Sequence, residues 1–466
     1  MRIIIANHID PAIRDRKDLR AWTQRALWGA HDGDLLVLCA PPDPGFLKYA
    51  TALTGTDPNR LQVVVPPPGR FGGRLLDPQM LTHPETLEQV RAHLADLGGD
   101  EAVEEIWALW PSASVARFAI ELGLTEKLPG AGFLAQGGGE LVNNKAVFRM
   151  LAAAAGVPVA HGTVVRDPAE ATATTLSLLQ NAGAVVVKQA HNGAGVGNEL
   201  LVADPGLATG HAGARHLHHL NHTNPSDVSE EVAAYWRERW AWASTQGRFP
   251  VVLEEFVPDA RTVYCEQHLT DTGTQPTEQG ELAYTSRRLS HESVPLRDLP
   301  PAVEKQLLEG SASLARTYQA VGYRGRISTD AIVRPDGQVL YTEVNAQISG
   351  SWHIYEVFAH RIVRATQAPH RTVTESHVPP HWMVPDGAAF HRALADLGLG
   401  YNRATRTGVI VSMPIIDHPT GAGGAQFTFS TVHDSPAGHA VIWHALEDRF
   451  TTTPRAAARP AERRHG

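Results

Sequence analysis

Cysteine occurs only at Cys39 and Cys265, far apart in the chain, so no disulfide framework is implied. Lysine is almost as scarce. Lys17, Lys48, Lys127, Lys145, Lys188 and Lys305 are the full set, and arginine supplies the rest of the 41 basic residues. A chain that uses arginine by default makes each lysine a candidate for a specific role. Positive charge is short overall: 49 acids leave a formal net charge of -8, which argues against nucleic acid or an anionic membrane as partner. No apolar run is long enough to span a bilayer. The opening MRIIIANHID reads as a strand and lacks the apolar core of a signal peptide, so the expected location is the cytoplasm. No internal repeat is visible. What remains is a chain of 466 residues, 43% hydrophobic, able to bury a large core in about three domains.

The first third alternates strand-like runs (RIIIAN, DLLVLCAPP, LQVVVPPP, EIWALWP) with helical patterns, which predicts an α/β domain on a parallel sheet. Asn144 is placed to cap a helix through KAVFRMLAAAA, stopped by Gly156 and Pro158, and Asp167-Pro168 starts another. AVVVK and VVLEEFV read as strands. Between them, the helix expected after Ser229 carries Val232, Trp236 and Trp240 on one stripe with Tyr235 beside it, a packing face. Helices are expected around Val303 to Val321 and in GSWHIYEVFAHRIV. The connector HVPPHWMVP precedes a last α+β segment ending near Phe450, and the basic, Pro- and Ala-rich tail reads as disordered.

The stretch TDAIVRPDGQVLYTEVNAQ carries the first chemical signal. Asp336-Gly337 between alternating apolar runs predicts a hairpin with a two-residue loop. That register sets Asp330 directly opposite Glu343, with Asn345 two residues along on the same face. Ala331, Val333, Leu340 and Val344 take the core face, with Thr342 as its one polar member. Opposed carboxylates repel. A hard cation between them removes the conflict, and Asp, Glu and the Asn carbonyl are the oxygen ligands Mg²⁺ requires. Because Mg²⁺ commonly completes its shell with nucleotide phosphates, a phosphate site is expected nearby.

VVVKQAHNGAGVGNELLVA supplies one: a strand ending in Lys188, then Gly193, Gly195 and Gly197, whose backbone N–H groups can close over phosphate oxygens. A Walker A motif is absent. GAGVGN lacks the third glycine of a dinucleotide fingerprint and leads into a strand instead of a helix. VVLEEFVPDART offers a strand end to an adenine edge and an acid to a ribose. His216, His218, His219 and His222 read either as a zinc site or as solvated, substrate-contacting histidines.

Taken in order, Lys145 at a helix start, Lys188 with its glycine loop, Glu254-Glu255-Phe256-Val257, then Asp330, Glu343 and Asn345 resemble the ATP-grasp family over about residues 141 to 363. The D-x12-E-x-N ending is the most specific part. The preceding LWPSASVARFAIELGL and LVNNKAVFRMLAAAAGVPV look like a pre-ATP-grasp domain, and the layout is most similar to pheganomycin-type peptide ligases of specialised metabolism. The resemblance implies a Rossmann-like pre-ATP-grasp α/β domain over 1–140 and an ATP-grasp domain over 141–375 with its lid at about 160–260. A small α+β C-terminal domain over 376–450 and a tail over 451–466 would follow. It implies ATP and two Mg²⁺ ions as cofactors and a carboxylate–amine ligation through an acyl-phosphate, with a kinase or a non-catalytic nucleotide-binding regulator as the alternatives. Lys145 and Lys188 match the phosphate lysines, Gly193 to Gly197 the lid, the backbone of Glu255 and Val257 the adenine hinge, and Asp330, Glu343 and Asn345 the metal ligands. Arg287 or Arg288, expected on a strand lining the cleft, would reach the γ-phosphate, and Ser349, Gly350 and Ser351 the carboxylate being activated. Two positions depart from the pattern. Arg261 stands where relatives place a ribose acid, leaving Asp259 or Glu254 to serve; Ser328 stands where they place an arginine, leaving Arg326 as the nearest replacement. Small-molecule amino-acid or peptide substrates and a homodimer complete the expectation.

Overall fold

The short runs RIII and LLV form the centre of a parallel sheet because they are apolar on both faces and helices cover each side. The computed structural model describes residues 1–8, 18–193, 195–220, 225–415 and 427–451. In it β1 (Arg2–Ile5), β2 (Leu35–Val37), β3 (Gln62–Val64) and β4 (Glu105–Ala108) pair in the order β3-β2-β1-β4, all parallel. The four strand-like runs of the sequence are these four strands.

A second sheet holds β5 (Gly162–Val165), β6 (Ala184–Lys188), β7 (Asn198–Val202), β8 (His216–His219) and β9 (Val251–Glu255) in the order β5-β9-β6-β7-β8. Helices Pro168–Ala182 and Pro225–Ala243 cover one of its faces. Val232, Tyr235 and Trp236 are buried there and Trp240 packs against them, so the aromatic stripe is a packing face. The second helix begins at Pro225, before the Ser229 expected from sequence.

The third sheet is antiparallel throughout. It holds β10 (Arg261–Leu269), β11 (Thr274–Thr285), β12 (Arg288–Val294), β13 (Gly325–Val333), β14 (Val339–Asn345), β15 (Thr372–His377), β16 (Gly408–Val411) and β17 (Thr428–His433), in the order β14-β13-β10-β11-β12-β15-β17-β16. β15 runs across the boundary expected at 375/376 and joins β12 to β17, so the last α+β segment extends this sheet. One face packs on helices Lys145–Ala155 and Pro301–Ala320 through Phe148, Leu314, Val263 and Tyr341. The other is covered by Ala26, Trp28 and an 11-residue π-wound helix, His353–Val363, through Trp352 and Phe358. The expected helix in GSWHIYEVFAHRIV is therefore present with wider winding.

The β13–β14 hairpin corrects the sequence reading twice. Its loop has three residues, Pro335, Asp336 and Gly337, closed by Arg334 N–H to Gln338 O at 2.9 Å; Gly337 takes φ 86°, where a glycine is favoured. A bulge between Asp330 and Ala331 then absorbs the extra residue, since Ala331 faces Tyr341 while Asp330 faces Glu343. The two shifts cancel at the acids. They do not cancel for the core: Val339 and Tyr341 join Val344 in it, in place of Leu340 and Thr342.

Among the described residues no helix is long and apolar enough to cross a membrane. His222 and the tail from residue 452 lie outside the described residues.

Candidate active site

The second and third sheets face each other across a cleft, and the strand ends on both sides deliver the charged groups to it. Asn144 caps the helix Lys145–Ala155 by accepting from the N–H groups of Ala146 and Val147 at 2.9 and 3.3 Å, which fixes Lys145 at the first turn. Lys145 Nζ lies 2.7 Å from Glu343 Oε2 and donates to Asn192 O at 2.6 Å, tying the helix to the hairpin and to the glycine loop. Lys188, the last residue of β6, lies 2.5 Å from Glu254 Oε2 and donates to Thr342 O at 3.3 Å.

Asp330 and Glu343 are directly paired. Burial and the charge of Glu343 raise the Asp330 carboxyl well above its ordinary range. Burial also pushes Glu343 upward, but the charge and hydrogen bond of Lys145, with Lys188 behind them, hold it below its ordinary value. Of the two, Asp330 is the one that burial and its neighbour's charge push toward the neutral form. Ser328 Oγ and Asn345 Nδ2 each donate to Asp330 at 3.0 Å, so the Asn345 amide presents its nitrogen to the carboxylate. With the Asn345 amide turned over, two carboxylates and an amide oxygen would form an all-oxygen donor set whose internal repulsion a divalent cation would relieve, and these residues fit Mg²⁺.

The cleft beside them is lined by Ala160, Val186, Phe256, Leu282 and Ile332, with Glu255 and Val257 at its edge. Apolar side chains on both walls of a slot suit a flat heterocycle. His211 lies in the slot, its ring 5.4 Å from that of Phe256 and its Nε2 3.4 Å from Val257 O. Gly195 has φ 75°, and a Cβ there would lie 2.7 Å from Gly213 C, so the loop closes only with glycine at this point. Gly193 has open space around it, and a Cβ on Gly197 would press on His191 O at 2.9 Å.

Several expected roles shift. Glu254 is 2% exposed and held between Lys188 and Arg149, whose Nη1 lies 2.6 Å away, so its carboxylate is engaged and not offered to a ribose. Asp259 is exposed, with φ 52°. Arg261 pairs with Glu281 at 2.8 Å. Arg287 is not on a strand: Ser286 and Arg287 form the β11–β12 turn with φ 50° and 66°, and the Arg287 backbone bonds Gly210 O and Ala214 N. The turn demands positive φ at both residues, which removes Arg287 from the strand. Arg288 is exposed at the start of β12. Arg326 lies on the face that carries Asp330 but turns to Glu356, 3.1 Å away, in a recess with Trp107 and Ile348. His218 contacts Glu199 at 3.2 Å beside Tyr235 and Arg239, and among the described residues no cluster of three or more histidines, cysteines or acids is arranged to hold a metal, so the described histidines do not form a zinc site.

Sequence reasoning missed four contributors. Arg25, 3% exposed, donates to Ser349 O at 2.6 Å and Ile348 O at 3.1 Å, and Asn143 exchanges bonds with Ala346 N and O at 2.9 and 3.2 Å. Both pin the loop after β14. Glu266 and Glu292 are the other two. Each is an acid in mid-strand, in VYCEQ and LSHESV, which is the available sequence signal. Burial pushes Glu266 up to about 7, against smaller opposing effects of Ser349 and Arg326. Burial pushes Glu292 up to about 8, against Ser351 and Tyr264.

A carboxyl raised on folding binds protons that the unfolded chain has released, so its contribution to stability is present at low pH and lost as pH rises through the folded value. Replacing Glu266 and Glu292 by glutamine should therefore stabilise the protein relative to wild type increasingly between about pH 5 and 8, at up to about 1.4 kcal/mol per pH unit for each group. Urea unfolding of wild type and the double variant across this range measures the difference; a constant difference removes both carboxyls from the account.

Residues 23–124 match the family described as Pre ATP-grasp domain. No curated protein sequence matches the chain at significance. Among solved structures, an L-amino acid ligase from Bacillus licheniformis superposes with a TM-score of 0.54 at 13% identity, over 97% of each chain. The N5-carboxyaminoimidazole ribonucleotide synthetase of Thermus thermophilus gives 0.54 at 13%, over 97% of this chain and 99% of that one. The biotin carboxylase of Campylobacter jejuni, as a β-γ-ATP complex, gives 0.55 at 13%, over 97% and 92%. At such identities the likeness is one of fold: an ATP-grasp fold preceded by a pre-ATP-grasp domain.

Proposed function

We propose that this chain is an ATP-dependent ligase that joins the carboxylate of an amino acid to an amine through an acyl-phosphate, releasing ADP and phosphate. The observation that carries this reading is the meeting of Lys145, Lys188, Asp330, Glu343 and Asn345 at the mouth of one apolar slot. Two superposed proteins are named as a ligase and a synthetase, and a third was solved with an ATP analogue, which supports a nucleotide in this cleft. The likeness of the sequence layout to pheganomycin-type peptide ligases supports an amino acid or peptide on both sides of the new bond.

In this reading the adenine enters the slot at Phe256 and meets the backbone of Glu255 and Val257, and His211 gives up its contact with Val257 O. Lys145 and Lys188 leave their carboxylate partners for phosphate oxygens, while Gly193 to Gly197 close over them. Asp330, Glu343 and Asn345 would hold two Mg²⁺ ions, which supply electrophilic charge at phosphate oxygens when bound. Ser349, Gly350 and Ser351, held by Arg25, orient the carboxylate that attacks the γ-phosphate. The covered face of the third sheet keeps water from the acyl-phosphate, which it would hydrolyse. Arg287, Arg288 and Arg326 would need to move to reach the phosphates. A screen of amino-acid pairs for ATP-dependent phosphate release, with product masses recorded, tests the reading. ADP and a product lighter by one water than its two substrates is the expected result; a phosphorylated product, or no turnover with any pair, contradicts it.

A further inference from the structure

His211 has no part in the chemistry above, yet it stands in the slot where that chemistry needs a base. It opens the histidine-rich run HAGARHLHH, on the connection between β7 and β8. Its ring lies 5.4 Å from that of Phe256, and its Nε2 lies 3.4 Å from Val257 O. A carbonyl only accepts, so in this contact Nε2 carries the hydrogen. A flat ring against Phe256 and an N–H donor to Val257 O are what a purine with an amino group would bring. His211, Ala212 and Gly213 line the same cavity as Lys188, Phe256 and Glu343.

The connection is fastened on three sides. The N–H of Arg287 donates to Gly210 O at 2.9 Å and that of Ala214 donates to Arg287 O at 3.2 Å, so the β11–β12 turn grips it before and after His211. Asn198 Nδ2, at the start of β7, donates to Gly213 O at 3.1 Å. Gly213 is wedged between Tyr284 and the phosphate loop. A Cβ on it would lie 2.6 Å from Tyr284 Cε1, and a Cβ on Gly195 would lie 2.7 Å from Gly213 C. Residues 209–214 therefore form a strap that runs from the second sheet to the third across the slot, with the His211 ring on its inner side. On the strap itself these fastenings are backbone groups, so the His211 side chain can be changed without undoing them.

We infer that His211 is a built-in competitor of the nucleobase: the strap shuts the slot by setting an imidazole against Phe256 and Val257 O, and it opens for each nucleotide that enters. The inference rests on the nucleotide site of the ligase reading and adds to it a means of regulation. Only the fraction of molecules with the strap open takes ATP, and the apparent affinity is lowered by that fraction. A base replaces both contacts that the imidazole gives up. Phosphates alone replace neither, so a ligand without a base binds Lys145 and Lys188 with His211 in place. One neutral hydrogen bond shifts such a balance about three- to tenfold.

The test compares full-length wild type with His211→Ala, His211→Gln and His216→Ala, the last a control at an exposed position of the same run. Calorimetric titrations with ATP and with inorganic tripolyphosphate, both in the presence of Mg²⁺, give two dissociation constants for each protein. His211→Ala should bind ATP about three- to tenfold tighter than wild type and tripolyphosphate equally well, which also shows that it is folded. His211→Gln keeps an N–H donor without the ring and should gain less. His216→Ala should match wild type for both ligands. ATP binding that is unchanged or weaker in both His211 variants overturns the inference. So does an equal gain for tripolyphosphate, which marks a loosened phosphate loop and not a vacated base slot, or an equal gain in His216→Ala. A wild-type protein that binds no ATP contradicts the ligase reading and removes the competitor with it, whereas wild-type binding with unaltered variants counts against the strap alone.

Discussion

Asp330→Asn is expected to lower ATP-dependent turnover by ~10³-fold, on the scale of losing one principal electrostatic contact to a transition state, while leaving folding stability within about 0.5 kcal/mol of wild type. Glu343→Gln should lower turnover as far and destabilise the fold by about 3 kcal/mol. The two acids face each other, yet their partners differ. Asp330 is the acid pushed toward its neutral form, and it accepts from Ser328 and Asn345, so an amide in its place removes its repulsion with Glu343 and keeps an oxygen for one of these donors. Glu343 holds Lys145, which is 6% exposed, and its loss leaves a buried ammonium without its carboxylate. Turnover at saturating Mg²⁺ and urea unfolding together check both halves. Near-wild-type turnover in either variant removes the metal role, and equal stabilities in the two remove the asymmetry.

Lys188→Ala should weaken ATP binding roughly ten- to a hundredfold, the value of a charge-assisted hydrogen bond, and Lys305→Ala should leave it unchanged. Both lysines are rare in this chain. Lys188 ends β6 at the cleft, 7% exposed, beside Glu254. Lys305 lies on an exposed helix surface, 3.8 Å from Glu309 across one turn. Titration with ATP, followed calorimetrically, separates them. Equal affinities in the two variants take the phosphate contact away from Lys188. Arg149 remains on Glu254 in the Lys188→Ala protein, so the acid is not left unpaired and the fold should persist.

The comparison of sequence with structure turns on how far apart in the chain the deciding contacts lie. The hairpin acids are legible because strand pairing is local: β13 and β14 are joined by a turn, and even an error of one residue in the loop is cancelled by the bulge before the register reaches Asp330 and Glu343. Lys145 and its helix are legible because Asn144 and Gly156 bracket them within a dozen residues. Glu254 is not. Its two neighbours, Arg149 and Lys188, arrive from other elements, and a strand EE pair says nothing of which acid turns inward to them. Arg287 reads as a strand residue because the sequence between β11 and β12 has no glycine at the turn, and Ser286-Arg287 adopts positive φ without one. Arg25 reaches Ser349 across 324 positions, a contact that no local pattern announces.

The acyl-phosphate is the centre of the account, and oxygen transfer tests it most directly. A donor acid labelled with oxygen-18 in its carboxylate is incubated with ATP, Mg²⁺ and the acceptor, and the released phosphate is analysed by mass. The attacking carboxylate oxygen bonds to the γ-phosphorus and leaves with it when the amine nitrogen takes its place on the carbonyl carbon. One labelled oxygen in each phosphate, with ADP and the amide formed in equal amount, is the predicted result. Unlabelled phosphate, or label carried into AMP, contradicts it.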